Sequence, residues 1–125
     1  MCMPCSLLLV EDELDLLEIF TRRFEKRGYR VVGCASFDSV LDVAAEQAID
    51  VAVMDRTLRG RDSLGLIAGL RAIHPNMQVI VLSGRGDQAS IHQAKAAGAN
   101  EYLIKPCAFA ELEAAVRQAC VLPAS

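Results

Sequence analysis

The stretch Ile49-Asp50-Val51-Ala52-Val53-Met54-Asp55 decides how this chain is read. Five of its seven residues are apolar. A run that is too short for a helix and rich in Val and Ile reads as a strand buried on both faces. It ends on a carboxylate, and in open parallel sheets ligands sit just beyond the carboxyl ends of the strands. Asp55 therefore stands where a site is expected. Working outward, other apolar runs end in the same way. Leu7-Leu8-Leu9-Val10 is followed by Glu11-Asp12, and Val79-Ile80-Val81-Leu82 by Ser83-Gly84. Leu103-Ile104 is followed by Lys105.

Helical patterns fill the gaps. Glu13 to Arg27 carries Leu16, Leu17, Phe20 and Phe24 at helical spacing and stops at Gly28. Tyr29 to Cys34 reads as a second strand, and Ser36 as the cap of a helix over Val40, Leu41, Val43, Ala44 and Ala48. Arg56 to Asp62 reads as a polar loop. Asp62 or Ser63 caps a third helix with Leu64, Ile67, Leu70 and Ile73 on its apolar face. After the fourth strand come a Gly84-Arg85-Gly86 loop, a helix over Ala89 to Ala97, a fifth strand over Glu101 to Ile104, a turn at Lys105-Pro106 and a last helix over Ala108 to Ala119. Val121 to Ser125 reads as a tail. Five βα units in series predict an α/β fold with a parallel sheet covered by helices on both faces.

Composition narrows the class. The chain has 125 residues, enough for one domain over residues 1–125, and 53% of them are hydrophobic. A net charge of −3 argues against direct nucleic-acid binding and against anionic membranes. No apolar run has membrane-spanning length and no export signal is legible, so a cytoplasmic location is the default. Cys2, Cys5, Cys34, Cys107 and Cys120 are odd in number and scattered, which points to reduced thiols and not to a disulfide framework. Cys2-Met3-Pro4-Cys5 lacks the preceding strand of a thioredoxin-like motif. His74 and His92 read as surface residues.

The strand ends carry the chemistry. Glu11, Asp12 and Asp55 at one sheet edge crowd negative charge that a cation relieves. Mg²⁺ suits such a set, since it takes one or two carboxylates plus waters and phosphate oxygens. A carboxylate beside it can act as a nucleophile toward phosphorus. Lys105 supplies a second cation, the Ser83 hydroxyl can donate to phosphoryl oxygens, and the Thr57 carbonyl can add a metal ligand.

These landmarks together resemble the receiver domain of two-component response regulators. They are Val10-Glu11-Asp12, Val53-Met54-Asp55, Val81-Leu82-Ser83-Gly84 and Tyr102-Leu103-Ile104-Lys105-Pro106, within a match from about Ser6 to Ala119. The resemblance implies a doubly wound, flavodoxin-like sheet of order 2-1-3-4-5. It implies that Asp55 accepts a phosphoryl group from a histidine kinase or phosphotransfer protein. Asp12, Asp55 and the Thr57 carbonyl would hold Mg²⁺, with Glu11 acting through water. Lys105 and Ser83 would contact the phosphoryl group, and Lys105-Pro106 would be cis. Ser83 and Tyr102 would form a switch, with Tyr102 outward or mixed before phosphorylation and inward after it. The signal would leave through the fourth helix, fifth strand and fifth helix, the face through which a dimer would also form. The chain would catalyse only its own phosphorylation and dephosphorylation, and its downstream target or output domain lies outside these residues. Arg59-Gly60 replaces the family's usual Pro-Gly, Ser63 stands where Gly is common, and Thr57 and Arg85 occupy positions that tune phosphoryl lifetime. Two other functions compete. A flavodoxin-like flavin carrier needs a phosphate cradle after the first strand, where Glu11-Asp12 stands instead. A degenerate receiver acting as a constitutive interaction domain is opposed by the intact acceptor set.

Overall fold

A computed structural model describes residues 4–121. Five parallel strands form its sheet: β1 (Ser6–Val10), β2 (Arg30–Cys34), β3 (Val51–Asp55), β6 (Gln78–Ser83) and β7 (Glu101–Ile104), in the order β2-β1-β3-β6-β7. The remaining two, β4 (Thr57–Leu58) and β5 (Arg61–Asp62), form a small antiparallel hairpin. Once those two are set aside, the order is the expected 2-1-3-4-5. The helices are α1 (Leu14–Lys26), α2 (Val40–Ala45), α3 (Leu66–Ile73), α4 (Gln88–Ala96) and α5 (Phe109–Val121).

All five residues of β3 are buried. Alternation along the strands splits the core in two. Leu8, Val10, Ala52, Met54, Val79 and Val81 face the layer holding α2, α3 and α4. Leu7, Leu9, Val51, Val53, Ile80 and Leu82 face α1 and α5, where Phe24 meets Phe109 at a centroid distance of 4.8 Å. Register places Leu9 beside Val53 and Val10 beside Met54, so β1 and β3 end together and their carboxylates share one edge.

Three local expectations change. The second helix is shorter than its pattern: a 3₁₀ turn over Phe37–Ser39 leads into α2, which stops at Ala45. The segment expected as a plain loop after Asp55 contains the β4–β5 hairpin. Arg59 and Gly60 at its tip both have positive φ, +48° and +80°, the two-residue turn whose twist suits a hairpin. The thiols are not all reduced, because Cys5 and Cys120 form a disulfide with Cα atoms 6.0 Å apart. α5 runs back along the sheet and returns its last turn to the start of β1, so cysteines 115 positions apart in sequence meet in space. Cys34 and Cys107 are free. Cys2 lies outside the described residues, as do residues 122–125 of the expected tail. His74 is half-buried, with Nε2 2.7 Å from the Ala44 carbonyl, and His92 is exposed as expected.

Candidate functional site

Three strands ending at one edge build the site. One carboxylate oxygen from each of Glu11, Asp12 and Asp55 lies within 4.8 Å of the other two. Lys105, just past β7, places Nζ 2.7 Å from Asp55 Oδ2 and 4.0 Å from Glu11 Oε1. Its backbone is held there because the Lys105 N–H donates to the Ser83 carbonyl at 2.8 Å. The Lys105-Pro106 peptide is cis, as expected.

Each carboxylate has its own backbone donor. The Glu13 N–H donates to Glu11 Oε2 at 3.0 Å, the Thr57 N–H to Asp55 Oδ1 at 3.1 Å, and the Arg59 N–H to Asp12 Oδ2 at 2.8 Å. The last bond explains the hairpin. Its tip folds over the sheet edge and points an amide at a carboxylate that begins 47 residues earlier.

Burial separates the three acids. Glu11 is 5% exposed, and burial pushes its carboxyl up to about 7, with neighbouring Asp12 and Asp55 adding to the rise. Asp12 is half-exposed. Burial raises its pKa too, but the Arg59 N–H and the shared interaction with Glu11 outweigh that and hold it below the usual range. Burial lowers the Lys105 ammonium, and its bond to Asp55 more than restores it, leaving the pKa raised. The site thus carries excess negative charge with a single lysine against it, in oxygen donors that fit a small hard cation.

Ser83 is buried beside this edge, and its Oγ accepts the Arg85 N–H at 3.1 Å. Tyr102 lies inward in this structure. It is 8% exposed, and its hydroxyl donates to the Arg85 carbonyl at 2.6 Å. Ser83 and Tyr102 therefore both hold Arg85. The packing of Tyr102 within the α2–α4 core explains why it lies inside.

One residue was missed altogether. Arg56, read as the start of a loop, is 7% exposed. Strand alternation was the available signal: the residue after Asp55 must point to the opposite face of the sheet.

Among curated proteins, the chain is 36% identical over 108 residues to the transcriptional activator protein PfeR of Pseudomonas aeruginosa, covering 86% of this chain and 35% of that protein. It is 35% identical over 109 residues to the two-component response regulator PhoP of the same species, covering 87% of this chain and 48% of that protein. The chain thus spans between about a third and a half of these relatives. Among solved structures, it superposes with a TM-score of 0.79 at 28% identity on a response regulator protein from Burkholderia pseudomallei, covering 95% of this chain and 75% of that one. That structure holds a phosphorylated aspartic acid, a calcium ion and citrate. The family model for the response regulator receiver domain matches residues 7–117, from the middle of β1 to the last turns of α5, and the chain belongs to that family.

Proposed function

We propose that this chain is a phosphoacceptor module in which Asp55 receives a phosphoryl group from a histidine kinase or phosphotransfer protein. The carrying observation is the placement of Asp55, with Lys105 Nζ at 2.7 Å on one oxygen and the acids Glu11 and Asp12 alongside. An Asp55 oxygen attacks phosphorus, the bond from phosphorus to the donor's imidazole nitrogen breaks, and the imidazole leaves with the electron pair. Mg²⁺, held by Asp12, Asp55 and the Thr57 carbonyl with Glu11 through water, would neutralise charge on the phosphoryl oxygens when bound. Lys105 orients Asp55 beforehand and can follow the charge onto the product. The Ser83 hydroxyl can turn from its own loop toward a phosphoryl oxygen. The phosphorylated aspartic acid in the similar Burkholderia pseudomallei protein supports the reading.

The reading implies a signalling protein whose only catalysis is on itself, working in the cytoplasm, with a target or output domain reached through α4, β7 and α5. Among the described residues, no helix is long and apolar enough to cross a membrane. The test is intact mass after incubation with Mg²⁺ and acetyl phosphate. The parent should gain one phosphoryl group and Asp55→Asn none. Equal labelling of the two would overturn the assignment.

A further inference from the structure

We infer that Arg56 is a positioning residue that ties the state of Asp55 to the placement of α4, an inference that rests on the phosphoacceptor reading. The tie starts in the backbone. Residues 55 and 56 are clamped: the Arg56 N–H donates to the Leu82 carbonyl at 2.8 Å, the Ser63 N–H to the Arg56 carbonyl at 2.7 Å, and the Ser63 hydroxyl to the Asp55 carbonyl at 2.7 Å. A shift of Asp55 is therefore passed to Arg56 and not absorbed in slack loop. Because side chains alternate across the strand, Asp55 turns toward Lys105 while Arg56 crosses to the α4 side.

There its guanidinium forks onto α4. Nη1 donates to the Ser90 carbonyl at 3.1 Å, and Nη2 donates to Gln93 Oε1 at 2.8 Å and to Asp62 Oδ2 at 3.3 Å. The planar guanidinium suits this work, since its donors are fixed relative to one another. A buried cation needs such partners, and two of the three are on α4. Ser90 is itself the node of the helix start, with its N–H and hydroxyl both donating to Asp87.

α4 is a helix that such a tie can govern. Its buried residues are Ser90 and Ala94, both small, whereas α3 buries Leu66, Ile67 and Leu70. With little apolar anchorage, the polar fork from Arg56 fixes a large part of where α4 sits. This route is separate from Ser83 and Tyr102, which both act on Arg85 in the preceding loop.

The test uses the whole chain with Mg²⁺ and beryllofluoride as the phosphoryl mimic, read by amide NMR. In the parent, amides near Asp12, Asp55 and Lys105 and those of Ser90, Gln93 and Ala94 should all shift. In Arg56→Met, which keeps the stem and removes the donors, the site amides should still shift, and the α4 shifts should fall by about two-fold or more. Gln93→Ala, at an exposed position, provides a second variant if Arg56→Met does not fold, with a smaller fall expected. Thermal unfolding of each variant separates a loss of stability from a loss of response. Undiminished α4 shifts in a folded Arg56→Met, or in Gln93→Ala if that is the variant available, would overturn the inference. If the parent's site amides ignore beryllofluoride, the phosphoacceptor reading fails, and this inference with it.

Discussion

Lys105 Nζ sits 2.7 Å from Asp55 Oδ2, joining residues 50 positions apart in sequence at the edge of the sheet. It is the one cation within ion-pair distance of Asp55 or Glu11 among the described residues. Lys105→Met should leave three acids without it and lower apo stability by about 1–3 kcal/mol, the usual worth of a charged hydrogen bond. Urea denaturation with and without Mg²⁺ checks this. The metal should restore more stability to the variant than to the parent.

Glu11 should make apo stability depend on pH in the direction opposite to a salt-bridged carboxylate. Its carboxyl is raised from 4.5 to about 7, so the folded protein holds that proton more tightly than the unfolded chain does. The stabilisation is complete below the unfolded value and is lost as pH rises through about 7. Glu11→Gln should flatten this part of the profile and leave the apo protein more stable than the parent at about pH 8. Denaturation curves collected across the range in chelator decide the matter; an unchanged slope would place the titration elsewhere.

Asp12 should behave differently when removed. Burial there is outweighed by the Arg59 N–H and the interaction with Glu11, which leave its pKa lowered, whereas at Glu11 burial outweighs the Glu13 N–H and Lys105. Asp12→Ala should gain little from relief of repulsion and free the hairpin tip. Mg²⁺ affinity should weaken about tenfold or more, since even supporting residues of metal sites cost that much. Titration of Mg²⁺ by calorimetry or amide shifts gives the number.

Reducing the Cys5–Cys120 bond should destabilise the fold. The bridge spans 115 positions, and the loop-entropy relation gives about 4–5 kcal/mol for closing a loop of that size. Thermal unfolding with and without a phosphine reductant measures it. Cys5→Ser should match the reduced parent and show no further response to reductant.

Much of this was legible in the residues because it depends on burial. β1, β3 and β6 are covered on both faces, so they appear as unbroken apolar runs, and the ends of those runs mark the site. Glu11, Asp12, Asp55 and Lys105 converge as their strand ends suggest. The features that stayed hidden depend on placement in space. The Arg59-Gly60 turn lies between strands of two residues each, too short to show alternation. The Cys5–Cys120 pairing follows from where α5 ends relative to β1, which no spacing encodes. The burial of Tyr102 depends on its packing in the core beside Val81 and Ala94. Arg56 carries a charge, and charge in a segment between elements reads as solvent-facing.

The bridge between Cys5 and Cys120 also decides how the domain bears a mechanical load. Tension applied outside the pair passes from one sulfur to the other, and the sheet carries none of it. With the bond intact, pulling should yield no unfolding event from the residues between. Once it is reduced, the same pull reaches the residues between the two sulfurs. On full extension, the 115-position span would then release on the order of 400 Å of chain. A single pair of thiols thereby determines whether this domain is a rigid link or an extensible one.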